Sequence, residues 1–265
     1  MEIDLLRKYM RVAAISFEMT IKSTLVDAFI LFGILVQPLI IALLALWMLQ
    51  DRGGDYAIFV VVGSGMTGLW STLLFACGNS ITLERWVGTL EMLIGVPTPL
   101  QVVVFGRNLA NVLQSLLSMV ASYLFISIFF GYQLTIAQPL LFFASLIFTV
   151  ISFVCFGLLL APLFVLNPDV QRWQNGLEFP VYILGGFLFP IALLPNWTTP
   201  LSYLLAPYWA ARALHAASSA SGNLNDVWLS WGMMTLFSLI YIAVSGRMFR
   251  AVIRRARIDA TLGME

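Results

Sequence analysis

The sequence predicts an all-α polytopic membrane protein with six transmembrane helices, and three observations carry that expectation. Of the 265 residues, 60% are hydrophobic and only 10% are charged, with a mean hydropathy of +0.93, whereas a soluble domain carries about 25% charged residues. The charges are bunched, and the gaps between them are long enough for helices of roughly 20 apolar residues to cross hydrocarbon. Nearly all of the 14 Lys and Arg fall on one side of the resulting layout. This composition excludes a disordered chain, which needs low hydrophobicity and high net charge. It excludes an ordinary soluble enzyme, which could not hide so much apolar surface in one core. A net charge of +1 excludes a basic nucleic-acid binder.

The elements follow in order along a single domain, 1–265. Residues 1–22 are too charged to insert, with Asp4, Arg7, Lys8, Arg11, Glu18 and Lys22 at helical spacing and Leu5, Leu6, Tyr9, Val12, Ala13 and Phe17 able to face lipid. They read as an amphipathic helix lying in the interface or as a simple orienting segment. A six-span bundle then occupies 28–246. Charge-free gaps of 23, 28, 61, 33 and 20 residues place spans near 28–49, 56–79, 104–130, 140–165, 178–193 and 227–246. The gap of 61 holds two spans, divided by Gly131 and Pro139. Long, continuously apolar runs are helices, because barrel strands would alternate. A basic tail, 247–265, closes the chain.

Twelve basic residues on one side against Arg52 and Arg212 on the other predict cytoplasmic termini and a multi-pass protein of the plasma (bacterial inner) membrane. No signal peptide is expected, since the first hydrophobic run starts late and lacks a small-residue cleavage site. Cys77 and Cys155 both fall in expected spans and His215 is the only histidine, so neither a disulfide framework nor a metal site is expected.

Several polar features carry two readings each. Gln37-Pro38 interrupts the first span, and proline kinks a helix by removing a hydrogen bond. The small residues of the second span, Ser64 and Gly68 among them, suit close helix packing or the lining of a polar path. Arg107, Asn108, Asn111, Gln114, Ser115, Ser118 and Ser122 form a stripe on the third span. It reads as interhelical hydrogen bonding with Arg107 reaching the inner surface, or as a substrate contact. Residues 178–212 hold Pro180, Gly185, Gly186, Pro190, Pro195, Pro200 and Pro207, which predicts a broken fifth helix and a re-entrant element on the outer side. Trp197, Tyr203, Tyr208 and Trp209 are placed there as an aromatic belt. The arginines ending the last span read as an anchor against anionic lipid.

Between the second and third spans, 81–100 places Glu84, Arg85 and Glu91 among Trp86, Leu90, Met92 and Leu93 at steps of three to four, stopped by Pro97 and Pro99. This is a short amphipathic helix, suited to pressing into a groove on another protein. The run Glu84-Arg85-x-x-Gly88-Thr89-Leu90-Glu91-x-Leu93-x-x-x-Pro97 resembles the cytoplasmic motif of ABC-2 type permeases, the membrane subunits of one class of ATP-binding-cassette exporters. A second stretch, Phe179-Pro180, Gly185-Gly186-x-x-Phe189-Pro190, Leu194-Pro195-x-Trp197, Pro207 and Arg212, resembles the broken fifth span and outer re-entrant segment of the same family.

The resemblance implies a type V exporter fold and a permease subunit that is not itself an enzyme. It implies two cytoplasmic ATPase subunits holding ATP and Mg, a second permease subunit (identical or a sister chain) and surrounding membrane lipid. The 81–97 helix becomes the coupling helix, with Glu84, Arg85, Gly88, Thr89, Leu90, Glu91 and Pro97 as its motif and Glu84, Arg85 and Glu91 contacting the ATPase. The outer re-entrant segment takes Pro190, Pro195, Trp197, Pro207 and Arg212. The cargo cleft draws on the first, second and fifth spans, with Thr67, Ser71, Phe75, Phe187 and Phe189 as candidates, each of which reads first as a packing residue and second as a cargo contact. That list holds no charge, so the expected cargo is apolar or amphipathic: a lipid, glycolipid or drug-like molecule, moved outward. The sequence contains no G-x-x-x-x-G-K-[S/T] phosphate loop, so the energy is expected from a separate chain. The competing readings are an ATP-independent carrier or channel, which needs a relay of buried acids where Asp27 and Glu178 sit near span ends, and an intramembrane enzyme, for which Ser64 has no evident base.

Overall fold

The computed structural model describes residues 2–26, 32, 36, 39–44, 46–47, 55–95, 98–131, 136–165, 170–188, 190–219 and 222–259. Helices α1 (Glu2–Val26), α2 (Asp55–Thr72), α3 (Thr82–Val87), α4 (Leu90–Gly95), α5 (Leu100–Phe130), α6 (Pro139–Val165), α7 (Val170–Leu184), α8 (Thr199–Tyr203), α9 (Ala206–Ser218) and α10 (Leu224–Asp259) follow one another. No strand occurs among the described residues. Four helical stretches there are long and apolar enough to cross a membrane: Ile58–Ser80, Leu100–Phe130, Pro139–Val165 and Leu224–Arg254. Most of the first expected span, including Gln37-Pro38, lies outside the described residues, although 39–44 are helical.

The sharpest boundaries have local causes. Pro99 opens α5 with an extended backbone, and Gly131 closes it in the left-handed conformation (φ 67°), as a helix C-terminus favours. Pro139 is the first residue of α6, where its missing N–H is harmless. Helix α2 does not stop at Thr72 but continues through a π turn (Leu73–Cys77) and a 3-10 turn (Gly78–Ser80). The extra residue of a π turn disturbs the carbonyl ladder. Gln174 of α7 compensates, its Nε2 donating to the Leu74 carbonyl and to Asn79 Oδ1, both at 2.9 Å.

Helix α7 departs from expectation. It starts at Val170 and ends at Leu184 rather than spanning 178–193, and it carries Pro180 inside. Beyond it the chain breaks into short pieces, each opened by proline: Pro190 and Pro195 precede 3-10 turns, and Pro200 and Pro207 lie in the first turns of α8 and α9. Gly186 turns the chain with φ 65°. The turn is pressed so tightly on α2 that a Cβ on Gly63 would lie 2.0 Å from the Phe187 carbonyl oxygen.

Helix α9 packs among α2, α6 and α10, and α10 runs along α6. Tyr208 and Trp209 are therefore buried, while Trp197 and Tyr203 are 71% and 43% exposed. Tyr208 and Trp209 are thereby removed from the expected aromatic belt, because α9 is a core element. Helix α1 lies along α5, close enough that a Cβ on Gly106 would meet the Ala13 carbonyl oxygen at 2.3 Å. Tyr9, Val12, Ala13 and Phe17 are consequently half-buried, and the exposed large apolar set on α1 is instead Leu5, Leu6, Met10, Ile15, Met19, Leu25 and Val26. The basic tail is helical as far as Asp259, as a continuation of α10.

Candidate coupling segment and cargo path

The segment after α2 is two helices of six residues each, not the single helix expected from its periodicity. Gly88 divides them. Its φ of 77° is a left-handed conformation that costs other L-residues about 1–2 kcal/mol, and no atom lies within 4 Å of where a Cβ would sit. Glycine is needed here for backbone conformation alone. Thr89 then caps both sides: its N–H donates to the Glu84 carbonyl at 3.0 Å, and its own carbonyl accepts from Leu93 N at 3.1 Å.

Glu84 is turned into the protein. Its Oε1 accepts from Arg107 Nη2 at 2.6 Å, and its Oε2 accepts from the Thr89 hydroxyl. Arg107 also donates from Nη1 to the Ser80 carbonyl at 3.0 Å. One guanidinium therefore fastens the end of α2 and helix α3 to α5. Both carboxylate oxygens of Glu84 have partners inside the chain. Val87 and Met92, in contrast, stand 68% and 76% exposed on either side of the Gly88 turn. The side chains of Arg85, Leu90 and Glu91, and all of Pro97, lie outside the described residues.

The expected cargo-path residues do not share one surface. Thr67 is buried and donates to the Ser64 carbonyl at 2.7 Å, and Phe187 is fully enclosed. Ser64 itself donates to the Val61 carbonyl at 2.9 Å. Phe75 is half-buried, and Phe189 lies outside the described residues. Ser71 donates to Glu178 Oε1 at 3.0 Å, an oxygen that also accepts from the Tyr182 hydroxyl at 2.9 Å. Glu178 is only 9% exposed and stands inside α7 rather than at the helix start expected near 178. A carboxylate therefore stands beside Ser71, one of the expected cargo-path residues. Sequence reasoning missed this carboxylate because it treated every charge as a span boundary; the spacing Glu178 to Tyr182, one helical turn, was the available signal.

The polar stripe of α5 faces the protein interior: Asn108, Asn111, Gln114, Ser115 and Ser122 are all buried. Interhelical bonding accounts for Arg107, but Asn108, Gln114 Oε1 and Ser122 have no hydrogen-bond partner among the described residues. At the other end, Pro190, Pro195 and Pro207 each begin a helical piece. Arg212 Nη2 binds Asp226 Oδ1 at 2.8 Å and stands 5.5 Å from the centre of the Trp209 ring.

No curated protein matches this chain. The sequence pattern of the ABC-2 type transporter family matches residues 13–218, a stretch running from α1 to the end of α9 and taking in the capped Gly88 turn, and the chain belongs to that family.

Proposed function

We propose that this membrane permease subunit of an ABC transporter is an exporter that draws its energy from a separate cytoplasmic ATPase through residues 81–97. The chain would pair with a second permease subunit, identical or a sister, and each would receive one ATPase that holds ATP and Mg. Six spans with cytoplasmic termini in the plasma membrane complete this reading, together with a re-entrant segment on the outer side. The observation that carries it is the construction of the α3–α4 turn. Apolar Val87 and Met92 are presented outward, while Glu84 and Arg107 tie the same turn to α2 and α5. A surface handle with a rigid polar root suits the relay of a push from a partner protein.

The division of labour revises the expected roles within the motif. Glu84 acts as a positioning residue, and the contact with the ATPase falls to the apolar pair and to the outward remainder of the segment. The absence of a phosphate loop in these residues supports an external source of nucleotide energy. The test is co-expression with the ATPase of the neighbouring reading frame, followed by purification on the permease. Met92→Asp or Val87→Asp is expected to reduce co-purified ATPase at least tenfold while leaving the yield of permease unchanged. Undiminished association in both variants would remove the segment from the interface.

A further inference from the structure

Helices α2 and α7 meet at a backbone carbonyl that has two possible donors. In a regular α-helix the Gly78 N–H would donate to the Leu74 carbonyl, four residues back. It donates instead to the Leu73 and Phe75 carbonyls, on either side of that acceptor. The Leu74 carbonyl is taken by Gln174 of α7, which is fully buried. Its Nε2 spends one hydrogen there and the other on Asn79 Oδ1, both at 2.9 Å. A side-chain amide of one helix thus stands in for a backbone bond of another. When Gln174 withdraws, the Gly78 N–H can close the regular bond and the π turn becomes α-helical.

A π turn holds one residue more than an α turn, so the conversion rotates one part of α2 against the other by about 100°. The earlier part is pinned. A Cβ on Gly63 would lie 2.0 Å from the Phe187 carbonyl oxygen, and one on Gly65 would lie 2.7 Å from the Met119 side chain of α5. The rotation therefore falls on 78–80, where the Ser80 carbonyl is tied through Arg107 to Glu84 of the proposed coupling segment. On α7, Glu178 stands one helical turn beyond Gln174 and holds Ser71 and Tyr182. Buried amide atoms without partners are costly, and three surround this turn. They are Gln174 Oε1 and both side-chain amide atoms of Asn108, which have no partner among the described residues. Asn108 lies against Cys77, the last residue of the π turn, since a Cβ on Gly157 would meet both. We propose that Gln174 is a positioning residue that relays motion of the coupling segment to α7, by exchanging with the Gly78 N–H at the Leu74 carbonyl. Turning of the α3 end swings Asn79. Gln174 follows the Asn79 oxygen, leaves Leu74 and draws Glu178 away from Ser71. This relay rests on the reading of residues 81–97 as the place where the ATPase pushes.

The experiment reads hydrogen exchange at single amides by mass spectrometry, on the full-length permease and on the permease–ATPase complex in lipid nanodiscs. In the permease alone, Gln174→Met removes both donors and keeps the chain length. The Gly78 amide is then expected to exchange about tenfold more slowly, the equivalent of one good hydrogen bond closed within the helix. An unchanged or faster Gly78 amide would overturn the exchange of partners. The complex is compared in its nucleotide-free and vanadate-trapped forms. In the unmodified chain, 73–80 and 170–184 are expected to change protection together on trapping. Asn79→Ala leaves the Gln174 bond to Leu74 in place and cuts only the tie to the turning end. It is expected to keep the response of 78–80 and lose that of 170–184. Gln174→Met is expected to lose the response of 170–184 with the amount of co-purified ATPase unchanged. No response of 170–184 in the unmodified complex, or a response that survives in either variant, would overturn the relay, even where the melting temperature falls. A permease that retains no ATPase removes the coupling reading, and the Gly78 comparison, made without the ATPase, still decides the exchange.

Discussion

The two ends of the molecule are each stitched by one arginine–carboxylate pair, and the stitches are built differently. At the end that carries the proposed coupling segment, Arg107 and Glu84 have side-chain exposures of 25% and 16% and share further bonds with Ser80 and Thr89. At the opposite end, Arg212 and Asp226 are 27% and 37% exposed. There the broken chain is held by ring packing among Tyr203, Tyr208 and Trp209, with one bond among them from Trp209 Nε1 to the Tyr203 carbonyl at 2.9 Å. Polar bonds are directional and fail when one partner moves, whereas apolar packing is non-directional. The first end is thus a joint whose geometry depends on a few groups. The second is a plug whose geometry is spread over many.

The largest expected effect falls on the joint. Arg107→Met leaves Glu84 half-enclosed without its cation and releases the Ser80 carbonyl. The expected destabilisation is about 2 kcal/mol, short of the loss at a fully buried pair because both side chains keep some exposure. Thermal unfolding in detergent reads the loss, and ATP hydrolysis in the complex should lose its response to cargo. If unfolding shifts but the cargo response survives, the joint is structural only.

The plug makes a prediction about pH. Both ring nitrogens of His215 in α9 are buried, and its ring stacks on Phe59 at 3.8 Å between centroids. Burial holds its pKa down at about 4, against an opposing pull from the backbone of Phe187 and Gly186. An unfolded histidine, with its pKa near 6.5, binds a proton first as the pH falls. The contribution of His215 to stability is therefore complete above about pH 6.5 and is lost progressively towards pH 4, with a slope of at most about 1.4 kcal/mol per pH unit. His215→Phe should flatten that slope in melting temperatures measured between pH 4.5 and 7. An unchanged slope would assign it to other groups.

How far the sequence announced each end follows from the same contrast. The limits of α5 and α6 were legible because Pro99, Gly131 and Pro139 act through local backbone geometry, whatever lies around them. The breaks in 185–207 were legible for the same reason. Helix α7 was not, because its polar residues are explained only by partners on another helix: Gln174 by a carbonyl that the π turn of α2 sets free, and Glu178 by Ser71 about a hundred positions away. The motif around Gly88 was visible, but its function as a cap was hidden by an apolar periodicity that runs straight across it. Glu84 looked like a surface acid for the same reason that Arg107 looked like a surface base. Each had its partner in a neighbouring element, and a pattern read along one chain segment does not reveal such pairs.

Two smaller substitutions sharpen the comparison. Gly88→Ala places an ordinary residue at φ 77° and costs about 1 kcal/mol of strain. Because no neighbour is struck, the global melting temperature should barely move, while ATPase association should fall as the angle between α3 and α4 relaxes. Arg212→Met is the counterpart at the plug. Its pair with Asp226 is more than a third exposed on the acid side, so the loss should stay below about 1 kcal/mol, and the methionine chain can still cover the Trp209 ring. Its expected effect on the cargo response of ATP hydrolysis is nil. The ratio of the two losses then decides the matter. If Arg212→Met uncouples the complex as fully as Arg107→Met, directional bonds govern both ends and the distinction between joint and plug fails. If it leaves coupling intact at equal or greater loss of stability, the path of force is confined to the end where Arg107 ties α2, α3 and α5 together.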